Sequence, residues 1–189
     1  MANKILAGVD EVGRGCLAGP VISCALILKK NINKKFLRDS KTIAFKDRIE
    51  IAKHIKKNSW YAIGSASVDE IDKYNIFNAT LLSMERAVKK LKKKPHLFLI
   101  DGTHAPKKLK NSKTIIKGDQ KIKCISAASI VAKAYRDLYM IKLGNKFPQY
   151  KWNKNFGYGT WQHLGALKKF GVTNYHRKSY KPVHNILSK

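Results

Sequence analysis

The sequence is poor in cysteine and has no long apolar run. Its three cysteines, Cys16, Cys24 and Cys124, form no C-x-x-C pair and have no clustered histidines beside them. This pattern argues against a zinc site and against a disulfide framework. The first residues are too few and too polar for a secretory signal, and no stretch of about 18 apolar residues occurs. We therefore expect a protein of the reducing cytoplasm without a membrane anchor.

Acidic residues are also scarce. The 189 residues include 12 acidic and 39 basic ones, which gives a formal net charge of +27. Such an excess favours a polyanionic partner, because basic side chains release the counterions condensed on nucleic acid phosphates. A codon bias that enriches lysine would produce the same excess, so the charge alone identifies no function. The scarcity of acids does allow each carboxylate to be considered separately.

Apolar periodicity predicts strands that alternate with helices over most of the chain. The predicted strands are residues 5–9, 21–28, 60–67, 96–100 and 114–116, and the predicted helices are residues 45–55, 81–91, 124–143 and 161–170. The first two strands are expected to pair across the glycine-rich segment 13–20. This alternation is typical of an α/β fold. We expect one domain over residues 1–189, with a small helical and loop subregion at about 146–189.

Three acids coincide with the ends of predicted strands. Asp10 and Glu11 follow the apolar run 5–9, and Asp101 follows the run 97–100. The carboxyl ends of strands are where α/β proteins place ligands. Because adjacent strand residues face opposite ways, Asp10 and Glu11 can serve one site only if the strand ends there and the turn redirects Glu11. For each acid taken singly, a solvated turn is the alternative explanation.

A fourth carboxylate, Asp137, lies on the apolar face of the predicted helix 124–143, at helical spacing from Ile130 and Ala134. A buried anion needs a base, a hydrogen-bond network or a metal. Arg136 is an imperfect partner, because adjacent helix positions do not face each other. From this helix alone, Asp137 is explained equally well as a metal ligand and as one partner of a buried salt bridge.

Four carboxylates at one sheet edge would repel each other unless cations neutralised them. Oxygen ligands without cysteine or histidine favour Mg²⁺ or Mn²⁺, and two divalent ions would balance four carboxylates. Two such ions about 3.5 to 4 Å apart activate a water and stabilise the leaving oxygen of a phosphoryl displacement. An acidic pocket in a basic protein is therefore the charge distribution expected of a metal-dependent nuclease.

Beyond these patterns, an ordered series of motifs resembles the ribonuclease HII family, the bacterial type 2 ribonucleases H. The motifs are Asp10-Glu11-Val12-Gly13-Arg14-Gly15, Leu17-Ala18-Gly19-Pro20-Val21, Asp39-Ser40-Lys41, Ile100-Asp101-Gly102, Gly118-Asp119, Ala127-Ala128-Ser129-Ile130-Val131-Ala132-Lys133, Arg136-Asp137, Gly157-Tyr158-Gly159-Thr160 with His163, and His176-Arg177-Lys178-Ser179. The resemblance covers nearly the whole chain. Cys16, Thr42, Ser126 and Tyr180 depart from residues common in the family, and none of them is a proposed metal ligand.

The resemblance implies an RNase H-like fold with a central mixed sheet flanked by helices. The metal ligands that it implies are Asp10, Glu11, Asp101 and Asp137. It implies that the backbone of Gly13, Arg14 and Gly15 contacts the ribose 2′-hydroxyl, the group that distinguishes RNA from DNA. Tyr158 would stack on the adjoining deoxyribose. The candidates for phosphate contacts or for support of the ligands are Lys41, Ser129, Lys133 and Arg177, although each is also explained as a solvated base or a packing serine.

The implied activity is that of an endonuclease with Mn²⁺ or Mg²⁺ as cofactor. It would hydrolyse RNA in RNA–DNA hybrids and cut 5′ of ribonucleotides embedded in duplex DNA, leaving 3′-hydroxyl and 5′-phosphate ends. We expect a monomer. Type 3 relatives carry an additional N-terminal domain, for which we expect no room before Asp10. The alternatives are another nuclease of the same fold without 2′-hydroxyl selectivity, and a non-catalytic basic RNA-binding protein.

Overall fold

The computed structural model describes residues 4–29, 37 and 43–188. The strands are β1 (Leu6–Val12), β2 (Val21–Leu28), β3 (Ser59–Ala66), β4 (Leu97–Asp101) and β5 (Ser112–Ile115). The α-helices are α1 (Phe45–Lys57), α2 (Val68–Lys90), α3 (Gly118–Lys121), α4 (Lys123–Lys146), α5 (Trp152–Asn155), α6 (Trp161–Phe170) and α7 (Lys181–Leu187). A 3-10 turn, Pro148–Tyr150, lies between α4 and α5.

The strands form one mixed sheet in the order β3-β2-β1-β4-β5. Strand β1 pairs antiparallel with β2 and parallel with β4. Its pairing with β4 stops at Val9 opposite Ile100, whereas its pairing with β2 continues to Val12. The expectation that the strand ends at residue 9 is therefore wrong. Asp10 and Glu11 belong to β1 and lie beyond its last pair with β4, at an open edge.

Helices cover both faces of the sheet, which confirms the expected layer architecture. Cys24 and Leu26 of β2 pack with α1 and α4 on one face, and Ala25 and Ile27 pack with α2 on the other. This alternation follows from the two-residue period of a strand. At Gly8, α4 crosses β1 so closely that a side chain would overlap the α4 backbone. The first half of α4 is thereby fixed over the carboxyl end of β1.

The predicted helices are present, with longer bounds in places. Helix α2 begins at Val68 rather than near residue 81, because Ser67 and Glu70 form a capping box at its N-terminus. Asn75 interrupts α2 with a φ of 63°, which explains why apolar periodicity revealed only its second half. The short helices α3, α5 and α7 were not predicted. Among the described residues, no helix is both long and apolar enough to cross a membrane.

The C-terminal part of the chain packs on the glycine-rich segment 13–20 and on the end of α4. Leu17 and Ala18 share one apolar cluster with Met140 of α4 and with Trp152 and Leu167 of the C-terminal helices. The backbone also joins them, since Leu17 N donates to the Gly157 carbonyl. Segments distant in sequence are thus held against the loop that follows β1.

Candidate active site

Four acidic side chains line one small cavity at the carboxyl edge of β1 and β4. The cavity has a volume of about 90 Å³, and its lining residues are Asp10, Glu11, Val12, Asp101, Asp119, Ser129, Lys133 and Tyr158. The structure therefore brings together three of the predicted ligands, Asp10, Glu11 and Asp101. Among the described residues, no three of these acids have their oxygens close enough together to coordinate one metal ion as the side chains now stand.

Mutual repulsion and burial make the cavity costly for anions. Burial raises the pKa of Asp10 well above its usual value, and the charges of Glu11 and Asp101 raise it further. Hydrogen bonds from Ser129 and from the backbone N–H of Glu11 oppose this increase. Burial also raises the pKa of Glu11, although Arg14, 3.4 Å away, favours its charged form. Cations are therefore attracted to this cavity.

Asp137 does not line the cavity, and its prediction as a metal ligand is not supported by its geometry. Its carboxylate is fully buried, with Oδ2 2.8 Å from Arg48 Nη2 and Oδ1 2.8 Å from Lys133 Nζ. It lies eight residues beyond Ser129, which corresponds to about 12 Å along an α-helix. The salt-bridge interpretation of Asp137 is the one that the structure favours, with Arg48 and Lys133 as partners in place of Arg136.

Asp119 takes the place in the cavity that Asp137 was expected to occupy. It lies in α3, directly after β5, which pairs parallel with β4. The backbone N–H groups of Gly118 and Asp119 donate to Asp101 Oδ1 at 2.7 and 3.4 Å, so this turn is tied to the end of β4. The rule that selected Asp10 and Asp101, an acid at a strand end, would also have selected Asp119 after the strand predicted at 114–116.

A buried guanidinium organises the glycine-rich loop after β1. Gly13 has a φ of 96°, a conformation that only glycine adopts easily. Arg177 is fully buried and donates to the carbonyls of Gly13, Arg14 and Gly19 at 2.6, 2.8 and 2.9 Å. Tyr180 OH also donates to the Arg14 carbonyl. Of the two roles predicted for Arg177, a phosphate contact or support of the site, its geometry favours support, because its guanidinium is enclosed by loop carbonyls.

A second buried guanidinium completes the support of this loop. Arg136 donates to the carbonyls of Pro20, Ala18 and Phe156 at 3.0, 2.9 and 2.8 Å. Because the two arginines occupy so many carbonyls of one loop, much of its acceptor side faces inward. The exposed residues of the loop include Arg14 and Gly15, and a Cβ at Gly15 would meet open space. These two residues are thus accessible to a ligand, and Arg14 lies beside the cavity, with its Nη1 3.4 Å from Glu11 Oε1.

Tyr158 stands at the rim of the cavity with 40% of its surface exposed. Lys133 Nζ lies 5.7 Å from the centre of its ring and 5.1 Å from that of Phe156. The side chain of Tyr158 also hydrogen-bonds the Cys16 thiol, and burial raises the pKa of its hydroxyl. Lys133 therefore contacts the cavity, Asp137 and Tyr158 together.

Lys41, which was also predicted to contact a phosphate or support the ligands, lies outside the described residues.

A chain of neutral imidazoles holds the backbone of Tyr158. The Trp152 indole N–H donates to His163 Nε2 at 3.0 Å, so His163 carries its proton on Nδ1 and donates to the Tyr158 carbonyl at 2.9 Å. His176 Nε2 lies 3.1 Å from His163 Nε2, and His176 Nδ1 accepts from the Thr173 N–H at 3.0 Å. Burial lowers the pKa of both histidines, that of His176 to about 3.

Comparison with known proteins identifies relatives over almost the full length. The sequence matches the family "Ribonuclease HII" over residues 7–183. A ribonuclease HII from Pelagibacter ubique is 57% identical over 186 residues, covering 97% of this chain and all of the relative. The crystal structure of ribonuclease H2 from Pyrococcus horikoshii has a TM-score of 0.82 at 23% identity and covers 97% of both chains. The Mn²⁺ complex of Bst-RNase HIII has a TM-score of 0.74 at 14% identity, covering 98% of this chain and 70% of that one.

Proposed function

The chain belongs to the ribonuclease HII family and is a ribonuclease H endonuclease, and we propose that its acidic cavity cleaves the strand 5′ of a ribonucleotide in duplex nucleic acid. The products would carry 3′-hydroxyl and 5′-phosphate ends. The observation that carries this proposal is the cavity itself, where four acids meet Tyr158 in a protein of net charge +27. Arg14 of the loop after β1 lies 3.4 Å from one of these acids, Glu11. The substrates are RNA–DNA hybrids and DNA duplexes with embedded ribonucleotides.

The donor set of the cavity fits hard divalent cations. Asp10, Glu11, Asp101 and Asp119 offer carboxylate oxygens, and the cavity lining contains no cysteine or histidine, which favours Mg²⁺ or Mn²⁺. Burial and the neighbouring carboxylates raise the pKa of Asp10 and Glu11, so the charged forms of both would be stabilised by a bound cation. Bound there, such cations would supply Lewis acids that activate water and neutralise charge on the phosphate. Small rotations of the four side chains would be needed to enclose them.

Selectivity for ribonucleotides would come from the loop after β1. Its inward carbonyls are held by Arg136 and Arg177, which leaves backbone groups of Gly13, Arg14 and Gly15 to meet the ribose 2′-hydroxyl. A hydroxyl that both donates and accepts is well matched by backbone groups, and it is the group that separates RNA from DNA. In this proposal Arg177 is a positioning residue.

Tyr158 would place its ring against the sugar that adjoins the ribonucleotide. The ring lines the cavity and is fixed at its backbone by His163 and at its side chain by Cys16. Lys133 would orient the ring and attract the phosphate, because its ammonium lies beside both the ring and the cavity. Ser129 would hold Asp10 through its hydrogen bond.

The proposal is tested by cleavage of two matched duplexes, one of DNA alone and one with a single ribonucleotide. Each is incubated with Mg²⁺, with Mn²⁺ or with a chelator. We expect one cut, 5′ of the ribonucleotide, with either metal, and no cut with the chelator or in the DNA duplex. Equal cleavage of both duplexes would instead identify a nuclease without 2′-hydroxyl selectivity. Binding without metal-dependent cleavage would identify a non-catalytic nucleic acid-binding protein.

The variant Asp10→Asn separates catalysis from binding. Asparagine keeps the size of the side chain but removes an anionic ligand, so we expect cleavage to be lost while hybrid binding persists. Cleavage at the wild-type rate in this variant would contradict the proposed site.

The remaining expectations form part of the same proposal. A single chain would act as one catalytic domain over residues 1–189, with substrate contacts from the subregion at about 146–189. It would work in the cytoplasm, where its substrates arise. The packing of Leu17 and Ala18 against Met140 and Trp152 supports a joint role for the loop and this subregion.

A further inference from the structure

One large aromatic side chain near the cavity has no role in the site described above. Trp161 is 80% exposed, whereas Trp152 is fully buried and Trp60 is 41% exposed with Lys29 and Lys93 beside its ring. Tryptophan is on average among the more buried residues, because its large apolar surface is costly to hydrate. An indole this exposed therefore calls for an explanation by function.

Trp161 is held close to Tyr158 by a short and well-anchored segment. It is the first residue of α6, and the helix is capped by the hydroxyl of Thr160. The Thr160 N–H donates to the Tyr158 carbonyl at 2.8 Å, and His163 of α6 donates to the same atom. Three residues span at most about 10 Å. Trp161 therefore lies within about 10 Å of Tyr158 along the backbone, on a segment anchored to the Tyr158 carbonyl.

The surroundings of Trp161 suit a sugar surface better than a protein partner. Its neighbours Gly159, Thr160 and Gln162 are exposed and small or polar, and Leu164, one turn later, is half-buried, so Trp161 is the one large apolar side chain that is exposed in the segment 159–165. Gly165 lies one turn later and faces open space, so no side chain from that position covers the indole. An isolated flat aromatic among small residues can lie against the sugars of a nucleic acid groove.

We propose that Trp161 is a second nucleic acid contact, which packs against the sugar–phosphate edge of the duplex beside the nucleotide held by Tyr158. The inference rests on the proposed function. In this proposal the duplex runs from Tyr158 past Trp161, and because about 10 Å corresponds to about three base pairs at 3.4 Å each, the contact falls within about three base pairs of the ribonucleotide. The net charge of +27 attracts the phosphates of the duplex to the protein.

Intrinsic fluorescence tests the contact directly. In a Trp60→Phe, Asp10→Asn background, the remaining indoles are those of buried Trp152 and exposed Trp161. A duplex with one ribonucleotide is expected to quench the emission and to protect it from acrylamide. The same titration with Trp161→Ala added should show neither effect. If the duplex binds but leaves emission and acrylamide quenching of Trp161 unchanged, the proposal is overturned.

Kinetics on duplexes of different length separate contact from structure. On a long ribo-substituted duplex, Trp161→Ala is expected to raise KM about 5- to 20-fold with little change in kcat, the scale of one aromatic contact. Trp161→Phe should retain most of the affinity. The DNA arm that reaches Trp161 is then shortened stepwise. The KM values of the wild type and Trp161→Ala should become equal once this arm ends within about three base pairs of the ribonucleotide. Both arms are shortened in turn to identify the relevant side.

The outcomes distinguish this inference from the proposed function. Failure of the protein with intact Trp161 to cut the ribo-substituted duplex would overturn the proposed function itself. Normal cleavage by the wild type, with equal KM for Trp161→Ala at every length, would overturn only the contact. A defect of Trp161→Ala that persists on the shortest duplex would overturn it as well, since it would indicate a structural effect. Thermal unfolding of both proteins should agree, because an exposed side chain adds little stability.

Discussion

Lys133 Nζ lies 2.8 Å from Oδ1 of Asp137, one helical turn further along α4. The same ammonium lies over the ring of Tyr158 and lines the acidic cavity. Arg48 binds the other oxygen of Asp137. Asp137 therefore affects the cavity indirectly, because it holds the ammonium group of Lys133, which lines the cavity.

Replacement of Asp137 and of Asp119 by asparagine should therefore have opposite consequences. Asp137→Asn leaves Arg48 and Lys133 without their buried counter-charge, so the free energy of unfolding should fall by about 3 kcal/mol. Asp119→Asn removes one carboxylate from the cavity and leaves no buried cation without its partner, so stability should be kept while cleavage is lost. Urea unfolding and cleavage of a ribo-substituted duplex measure the two effects. Loss of stability in Asp119→Asn with full stability in Asp137→Asn would reverse the assignment.

Divalent cations should stabilise the folded protein through the acidic cavity. Burial raises the pKa of Asp10 and Glu11, and the charges of neighbouring carboxylates raise both further; bound cations would stabilise the charged forms. At a concentration 100 times the dissociation constant, Mn²⁺ should add about 2.7 kcal/mol to the free energy of unfolding. We expect a higher Tm with Mn²⁺, a reversal by chelator and a smaller shift in Asp119→Asn. The control is Asp47→Asn, an exposed acid of α1, which should shift like the wild type. Equal shifts in all three proteins would place cation binding elsewhere.

Arg177→Lys should impair catalysis without impairing cation binding. Lysine keeps the charge but cannot reach the carbonyls of Gly13, Arg14 and Gly19 together. Each lost charge-assisted hydrogen bond costs about 1.5 to 3 kcal/mol, so the loop should lose its fixed position. We expect kcat/KM on a ribo-substituted duplex to fall at least about tenfold, while the Mn²⁺-induced shift in Tm persists.

The matched control for Arg177→Lys is Lys178→Ala, a change of the exposed neighbouring side chain. It should leave kcat/KM within about twofold of the wild type, since surface substitutions usually have small effects. An unchanged kcat/KM in Arg177→Lys would show that the loop needs no support from the guanidinium.

Acid should weaken the fold through the buried histidines. The pKa of His176 is lowered to about 3, and that of His163 is also lowered. In the unfolded chain both titrate near 6.5, so the unfolded state gains protons as the pH falls below that value while the folded state does not. The contribution of His176 is full above pH 6.5 and is lost as the pH falls towards 3, by up to about 1.4 kcal/mol per pH unit. The contribution of His163 is lost in the same direction.

Urea unfolding between pH 7.5 and 4.5 measures this dependence. His176→Asn should be less stable than the wild type at pH 7.5, but the difference should shrink towards pH 4.5, because the variant has one buried histidine fewer to protonate. His184→Asn, at an exposed position of α7, should follow the wild-type curve. A constant difference between His176→Asn and the wild type would contradict the assignment.

Helices and strands were predicted best where the apolar pattern and the residues that begin or end an element agree. The bounds of β2 and α6 were predicted correctly, since β2 is a continuous apolar run and α6 begins after the capping residue Thr160. Helices α5 and α7 are only four and seven residues long. Fewer than two full turns carry too little periodic signal to be recognised.

The cavity was predictable in part. Three of its acids follow directly from strand ends, and Asp119 follows from the same rule. The helical position of Asp137 correctly indicated that this carboxylate needs a partner, but periodicity does not distinguish a metal from a distant arginine. The partners of Arg136 and Arg177 could not be predicted either, because every residue has a backbone carbonyl and the sequence does not indicate which ones an arginine will bind. Only the folded loop shows that these guanidiniums point inward.

The contact between α4 and β1 at Gly8 has a consequence for evolution. Even one methyl group there would collide with the backbone of Cys124 and Ile125, and the helix would be displaced from the strand that carries Asp10. Ser129 would then be carried away from its carboxylate partner. We therefore expect Gly8→Ala to be inactive. In a directed-evolution experiment, Gly8 should be substituted as rarely as the acids of the cavity, although it takes no part in the reaction.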